Sequence, residues 1–477
     1  MSARAFSASA ALCVLLVGCA ATGHREPAPS VLDPHTLAGV SAAVSVPLIK
    51  DTWWDDFHDP QLSELVADAL SHSPSVAVAM ARLSSANALL LVARAQRLPQ
   101  TQIATSVERE LLTAKLYPPP YGGATVNLGQ LNLDLNYEID LVGRSRARIE
   151  ISTADSRAAE ADLAATRLSL AAAVTRAYIQ LAHTDALINT ARDFLQERQA
   201  RVVLTQKRHA AGIDTQIPVE VAAAGVATAE AELAVLANQR ALLIHALAEL
   251  VGMGPGRVSE ELHPGLSFVA PPDVPAALPA DLVARRPDVL ANQQRVLAAA
   301  GDVKLAEVAF YPNINLSAFA GFESLELSSL ISSGARNWGV GPAVSLPIFD
   351  VGRLRGQLRL RDAAYRAAVA QYDGSVLSAF REVADALSSL HQLESEQASN
   401  QNLLMAVKHT HAMTQAQFAA GLIDQVSVLA VQEQLIEQQR VVAQLDSRHA
   451  DLVIALIRAL GGGFSNLTLP VSESDHG

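Results

Sequence analysis

Few residues in this 477-residue sequence have the types and spacing that catalysis or metal binding requires. His409 and His411 are two positions apart, so on a helix their imidazoles point to different faces, and we interpret them as solvated residues rather than metal ligands. The sequence contains no H-E-x-x-H, Walker or G-x-S-x-G motif. We therefore predict no enzyme activity, no cofactor and no metal site.

The charge of the chain restricts its partners. The formal net charge is −12 at pH 7, and no cluster of Lys and Arg forms the basic patch that binding to phosphate backbones requires. We therefore expect no nucleic-acid partner.

The N-terminus has the features of a short secretory signal. Arg4 precedes an apolar run that is too short to cross a bilayer as a helix. The run ends in L-V-G-C at Cys19, which resembles the lipobox of bacterial lipoproteins. The resemblance implies that residues 1–18 are removed as a signal peptide, together with Cys13, and that Cys19 is acylated. The alternative is an ordinary signal with a chance cysteine. Ala20, in place of Asp, implies sorting to the outer membrane.

The residues that follow have no clear periodicity. Segment 19–52 is rich in Ala, Pro, Ser and Val, which indicates an extended, lipid-anchored tether. Beyond the signal, no segment has 18 uninterrupted apolar residues, so no transmembrane helix is expected.

The periodicity of the sequence changes twice from that of a strand to that of a long helix. Between 337 and 349 apolar residues fall on every second position, and after Gly352 they follow steps of three and four. The same change occurs at Asn136–Arg146. Asp140 and Asp350 occupy equivalent places about 210 residues apart, which indicates an internal repeat.

The repeat divides the rest of the chain into two similar halves joined by a Pro-rich connector. The predicted segments are repeat 1 at 53–252 with strands at about 100–111 and 125–141, the connector at 253–280, repeat 2 at 281–463 with strands at about 313–322 and 337–349, and a flexible tail at 464–477.

Each repeat is predicted to contain a hairpin of long helices. From Gly143 to about Arg208 a helical pattern runs without proline, which at 1.5 Å per residue gives a helix of roughly 100 Å. It ends in H-A-A-G-I-D-T-Q at 209–216, and its counterpart ends in F-A-A-G-L-I-D-Q at 418–425. Gly421 stands 209 residues after Gly212, and both glycines are well placed to terminate a helix.

The predicted strands have one apolar and one polar face. In segment 125–141, Leu131 and Leu133 alternate with Asn132 and Asp134, and the alternation slips near Gly129, which predicts a bulge. A soluble antiparallel sheet also alternates. The length of this strand and its strongly polar face favour a membrane barrel with a water-filled lumen.

Four strands cannot close a barrel, and open sheet edges are not tolerated in lipid. The chain must therefore oligomerise if these strands span a membrane. Three chains would supply twelve strands, a number within the range of outer-membrane barrels, so we favour a trimer. The predicted fold class is mostly α with a transmembrane β-barrel: a trimeric 12-stranded barrel with four strands per chain, continuous with a long α-helical barrel.

Two further motifs carry a family resemblance. R-R-P-D-V at 285–289 and F-Y-P-N-I-N-L at 310–316 closely resemble the outer-membrane factor family of tripartite efflux systems, the TolC-like and NodT-like lipoproteins. Both strand-to-helix joints, both A-A-G tips and the lipobox fit the same family. The resemblance implies a homotrimeric exit duct in the outer membrane of a Gram-negative bacterium, lipid-anchored and extending into the periplasm, which passively conducts drugs or other small molecules.

The resemblance also implies partners and sites. A periplasmic adaptor protein would contact the helix tips at Gly212, Ile213, Gly421 and Leu422, and an inner-membrane pump would supply the energy. Acidic side chains commonly narrow the tip, and Asp424 is the nearest candidate for this gate.

Asp214 is the acidic residue on the sister tip. The sequence departs from the family at Ile423, Ala430 and Asn292, where acidic residues are frequent. Asp424 equally fits a helix N-cap. Arg285, Arg286 and Asp288 suggest a structural ion-pair role rather than an active site.

Two other functions remain open from the sequence. An autonomous porin-like diffusion channel would conduct without a partner, and a structural coiled-coil lipoprotein would place no strand in a membrane. The substrate, the energy source of the pump and the roles of Arg240 and His449, which interrupt apolar helix seams, are not determined by the sequence.

Overall fold

The computed structural model describes residues 27, 29–33, 49–254, 262, 264–265, 285–347 and 349–464. The predicted signal peptide, Cys19, most of the tether and of the connector, and the tail beyond Phe464 lie outside these residues. The described part contains seven α-helices and four strands, listed here in chain order: α1 Pro60–His72, α2 Pro74–Ala95, β1 Gln100–Leu111, β2 Thr125–Ile139, α3 Arg144–Ala210, α4 Ile217–Val251, α5 Pro287–Val308, β3 Asn313–Ser324, β4 Arg336–Ser345, α6 Val351–Ala419 and α7 Gln425–Ala459.

The chain forms two compact units. The sheet unit comprises Met1–Val31, Arg82–Ala159 and Ala291–Tyr372, and the helical unit comprises Leu32–Ala81, Glu160–Leu290 and Asp373–Gly477. Four helices, α2, α3, α5 and α6, contribute residues to both units.

The strands of the sheet unit form one antiparallel sheet in the order β1-β2-β3-β4. β2 ends at Ile139 rather than at 141, and Asp140 Oδ2 instead accepts a hydrogen bond from the backbone N–H of Arg146, at 3.0 Å, at the start of α3. β4 ends at Ser345 rather than at 349. Its last residue pairs with Asn313, the first residue of β3, so later residues have no partner strand. Conversely, β3 runs two residues further than predicted, to Ser324.

The register of the sheet confirms the two predicted faces of β2. Leu131 pairs with Thr105 and Phe322, and Leu133 pairs with Ile103 and Ala320, so one face is mainly apolar across the sheet. The predicted bulge at Gly129 was wrong, because the pairing with β1 continues without interruption through this residue. Gly129 instead leaves room for the loop after β3: an added Cβ would lie 2.9 Å from Leu327 Cδ2.

Helices α3 and α6 are 67 and 69 residues long, and α4 and α7 have 35 residues each. At 1.5 Å per residue α3 is about 100 Å long, which agrees with the length expected from the proline-free pattern. α2 meets the length and mean hydropathy of a membrane span within the described residues, although Arg82 and Arg94 interrupt it. Core helices of soluble proteins satisfy the same condition.

The main hydrophobic core lies in the helical unit. Trp53 and Phe57 of a short 3-10 helix are buried in this core, which also contains residues of α1, α3, α4, α6 and α7. Tyr178 of α3 donates a 2.9 Å hydrogen bond to Asp59 Oδ2, which also accepts from the N–H of Gly265. Asp59 Oδ1 caps α1 through the N–H of Gln61. One buried carboxylate thus joins α1, α3 and a piece of the connector.

Candidate functional site at the hairpin tips

Both long helices end in the same backbone motif. In α3 the N–H of Gly212 bonds to His209 O and the N–H of Ile213 bonds to Arg208 O, and in α6 the equivalent bonds run from Gly421 and Leu422. Both glycines have φ of +72°, in the left-handed region where only glycine is unstrained. These hydrogen bonds form a Schellman motif at each tip, in which the glycine ends the helix as predicted.

The residue after each glycine presents an apolar side chain to solvent. Ile213 is 65% exposed and Leu422 is 74% exposed. An added Cβ on Gly212 or Gly421 would meet no atom within 4 Å. Glycine is therefore needed at these positions because of the positive φ, and not because a side chain would clash with a neighbour. Each tip therefore carries one exposed aliphatic residue on a rigid turn.

The two candidate gate residues occupy different places in the repeat. Asp214 lies 209 residues before Ile423, and Asp424 lies 209 residues after Thr215. Asp424 is the N-cap of α7, where its Oδ1 accepts from the N–H and the hydroxyl of Ser427 at 3.0 and 2.7 Å. These hydrogen bonds hold the pKa of the Asp424 carboxyl below its usual range, with a smaller contribution from Arg208.

One guanidinium faces both acids. Arg208 bonds to Asp214 through Nε at 2.6 Å and Nη2 at 3.2 Å, and its Nη1 lies 3.9 Å from Asp424 Oδ2. The hydrogen bond from Arg208 lowers the pKa of Asp214, and Asp214 raises the pKa of Arg208 in return. At neutral pH this tip cluster holds one positive and two negative charges.

Sequence reasoning missed Arg208. Its counterpart one repeat later is Gln417, so the second tip supplies a carboxylate but no cation of its own. The available signal was a basic residue in the last turn of α3, six positions before an acid that follows a helix-ending glycine.

A second charge network joins α3 to α7. Glu433 pairs with Arg198, and also with Arg201 at 3.6 Å, while Glu197 lies 3.5 Å from the Nε of each arginine. Burial raises the pKa of Glu197, whose carboxylate oxygens make no hydrogen bond among the described residues.

A further ion pair joins α4 to α7. Arg440 Nη2 of α7 lies 2.6 Å from Glu232 Oε1 of α4. The two helical hairpins of the chain are therefore connected by ion pairs at several levels.

Arg286 and Asp288 of the R-R-P-D-V motif form the predicted structural ion pair in the helical unit, whereas Arg285 is exposed and makes no ion pair among the described residues. Arg286 is 7% exposed, bonds to both carboxylate oxygens of Asp288 at 3.0 and 2.7 Å, and contacts Glu382 of α6 and the backbone O of Ala459 in α7. Burial alone would lower the pKa of Arg286, but Asp288 and Glu382 raise it on balance.

The structure shows the surroundings of Arg240 and His449, whose roles the sequence did not determine. Arg240 of α4 bonds to Asp185 of α3 at 2.7 Å and to the backbone O of Leu262 at 2.9 Å. His449 of α7 is 3% exposed, and burial lowers its pKa, which favours the neutral imidazole. Both side chains therefore serve packing within the helical unit.

Comparison with known proteins places the whole arrangement in a family. The model of the family described as outer membrane efflux protein matches residues 65–253 and 278–462. OprJ, an outer membrane protein of Pseudomonas aeruginosa, is 30% identical over 468 residues, which cover 97% of each chain. SilC of Salmonella typhimurium, a probable outer membrane lipoprotein, is 27% identical over 462 residues, or 94% of this chain and 97% of SilC.

A solved structure supports the same family assignment. The outer membrane protein VceC of Vibrio cholerae superposes with a TM-score of 0.80 at 34% identity, covering 87% of this chain and 100% of VceC. Both halves of the sequence match the family model, and the tandem strands and hairpins are the fold of its solved members. The chain therefore belongs to the outer membrane efflux protein family.

Proposed function

We propose that this chain is the outer-membrane exit duct of a tripartite efflux system, in which it passively conducts drugs or other small molecules out of the cell. The main support for this proposal is that both repeats match the outer membrane efflux protein family. The sheet also has one mainly apolar and one polar face, as a membrane barrel with a water-filled lumen requires. The energy comes from an inner-membrane pump, and a periplasmic adaptor protein links the pump to this duct.

The duct is a homotrimer. β1 and β4 each pair with only one strand among the described residues, and the mainly apolar face exposes Ile103, Leu133, Trp338 and Val340. Unpaired strand edges are costly in lipid, so β4 of one chain pairs with β1 of the next until twelve strands close. The exposed apolar side chains then face lipid, and the polar face lines the pore.

The tip cluster is the gate. Within this cluster, only the Arg208–Asp424 contact joins the end of α3 to the start of α7, so moving these two helices apart to open the periplasmic end requires this contact to separate, whereas Asp214 pairs with Arg208 within the first tip. Glu433 and Arg440 add further links between the same hairpins. This arrangement supports a closed resting state and disfavours an open porin.

The adaptor binds the tips themselves. Gly212 and Gly421 hold rigid turns, and Ile213 and Leu422 present apolar side chains that an adaptor buries. Acylation of Cys19 anchors the chain in the outer membrane, and the tether at 19–52 joins the lipid to the body. The body consists of repeats 53–252 and 281–463, and the family model divides the chain at nearly the same places.

Substitution at the tips tests the proposal. Ile213→Asp and Leu422→Asp keep both Schellman turns but place charge on the adaptor surface, so efflux-dependent drug resistance should fall at least about tenfold while the trimer persists on gels. Leu403→Asp, an exposed position of α6 about 27 Å from the tip, is the control and should retain resistance.

Deletion of 209–216 or 418–425 is the stronger form of the same test. Loss of resistance with an intact trimer is expected. Unchanged resistance in a tip-deleted trimer would contradict a role of the tips in coupling and would favour the autonomous channel.

A further inference from the structure

The polar face of the sheet contains one aromatic residue beside one carboxylate. The register pairs Asp134 of β2 with Phe319 of β3, and Phe319 with Gly339 of β4. Directly paired residues on one face of an antiparallel sheet have Cβ atoms about 4.5–5.5 Å apart. Asp134, Phe319 and Gly339 therefore form a row across three strands.

The ring of Phe319 lies over Gly339. An added Cβ on Gly339 would come within 2.6 Å of Phe319 Cε1 and 2.9 Å of Cζ, so only glycine permits this position of the ring. The ring leans towards β4 and away from the strand that carries Asp134. Phe319 is nevertheless 42% exposed, which leaves part of its ring open to solvent.

The carboxylate of Asp134 makes no hydrogen bond or ion pair with any described residue, although the residue is half-buried in the sheet. Two other carboxylates of the polar face do have partners: Glu138 pairs with Arg144 and Arg148, and Glu323 accepts hydrogen bonds from Gln130 and Asn337. Glu108 and Glu110 resemble Asp134 in having no side-chain partner among the described residues, but only Asp134 is paired with an aromatic residue on this face.

No basic side chain of the described strands shares this face. Arg109 and Arg336 are the basic residues of the four strands, and their register places them on the opposite face, paired with Asn127 and Phe322. The charged side chains that the described strands contribute to the polar face are therefore all acidic. An anion would meet no counter-charge in this row, and a single carboxylate does not supply the ligands of a metal site.

We propose that Asp134 and Phe319 form a binding subsite for lipophilic organic cations, such as quaternary or aromatic onium ions, on the polar face of the sheet. The carboxylate supplies the counter-charge and the ring face supplies cation–π and apolar contact, which act together within about 6 Å of a ring centroid. The subsite rests on the proposed function in one respect, that the polar face lines the pore. Three chains would place three such pairs at one level of the lumen.

A packing role for Phe319 explains only part of the observation. An aromatic side chain over a strand glycine shields the exposed backbone and stabilises the pairing. That role accounts for the ring on Gly339 but needs no charge beside it. The test must therefore separate cation binding from sheet stability.

Equilibrium binding of tetraphenylphosphonium to the purified full-length trimer in detergent is the test. Asp134→Asn should weaken binding at least about fivefold, and Phe319→Leu about three- to tenfold. Phe319→Tyr keeps a ring over Gly339 and should bind as the wild type does. Tetraphenylborate, an anion of the same size and shape, should not lose affinity in Asp134→Asn.

Glu108→Gln is the matched control for charge. Glu108 lies on the same face of β1, six residues from the position paired with Asp134, or about 20 Å along the strand. It should leave the affinity for tetraphenylphosphonium within twofold, and all variants should form trimers with the thermal stability of the wild type.

Equal affinity for the cation in wild type, Asp134→Asn and Phe319→Leu would overturn the subsite, as would an equal loss of tetraphenylborate affinity. Measurements of bilayer conductance and of efflux test the proposed function independently of the subsite. Variant-sensitive binding without conductance would overturn the duct and keep the subsite, whereas conductance with variant-insensitive binding would overturn the subsite and keep the duct.

Discussion

At the scale of a single side chain, Asp424 makes two separate contacts. Its Oδ1 caps α7 through Ser427, while its Oδ2 faces Arg208 across the tip. An alanine at this position removes both contacts, so its effect would not tell the cap from the gate. An asparagine keeps the capping oxygen and removes the charge.

We predict that Asp424→Asn raises the single-channel conductance of the trimer in planar bilayers without lowering its thermal stability. The loss of charge weakens the attraction to Arg208, whereas the N-cap bond to Ser427 persists. Asp424→Ala should raise conductance and lower stability together. Wild-type currents should be small and mostly closed.

Two outcomes would contradict the gate. A large, steady conductance of the wild type would indicate an open porin. Conductance that rises in Asp424→Ala but not in Asp424→Asn would assign the effect to the helix cap alone.

At the scale of elements, Arg286 joins three helices at one point. It lies next to the first residue of α5 and contacts Glu382 in α6 and the last residue of α7. Its planar guanidinium satisfies Asp288 with two parallel bonds while another nitrogen reaches Glu382, which a lysine cannot reproduce. The neighbouring Arg285 is exposed.

We predict that Arg286→Ala destabilises the helical unit by about 3 kcal/mol, because Asp288 and Glu382 are left without their cation. Arg286→Lys should recover less than half of the loss. The measurement is the apparent melting temperature of the purified trimer, with Arg285→Ala as the adjacent control. If both alanine variants melted alike, the ion pairs of Arg286 would not support the packing of α5, α6 and α7.

At the scale of the whole molecule, the four strands of one chain do not close a barrel. Both repeats supply two strands and one hairpin, and the sheet that results has two open edges within the described residues. The proposed acylation site, Cys19, lies well before β1 in the sequence, so a substitution there leaves every strand residue unchanged.

We predict that Cys19→Ser abolishes incorporation of labelled palmitate into the protein in growing cells. Cys13→Ser is the matched control, because Cys13 belongs to the signal that is removed, and it should be labelled as the wild type is. Label lost in Cys13→Ser, or retained in Cys19→Ser, would disprove acylation at Cys19.

The sequence by itself determined the features that depend on neighbours along the chain. Alternation of apolar residues predicts β1 to β4 because side chains of a strand point to opposite faces, and Gly212 and Gly421 predict the helix ends because only glycine adopts φ of +72° without strain. The 209-residue offset predicts the second tip from the first. The same local reasoning gave one wrong prediction. The break in apolar alternation at Gly129 suggested a bulge, whereas the strand pairing is continuous there and the side chain of Leu327 packs over this glycine.

Only the tertiary structure decided which distant residues meet. Arg208 reaches Asp424, Arg198 reaches Glu433 and Asp134 lies beside Phe319, although each pair is separated by 185 residues or more. The ends of β2 and β4 likewise depend on where the partner strand begins. Ion pairs and strand pairs form between residues that are a few ångströms apart in space. The periodicity of one helix or strand shows which of its faces is buried, but it does not show which residue of another element will contact that face.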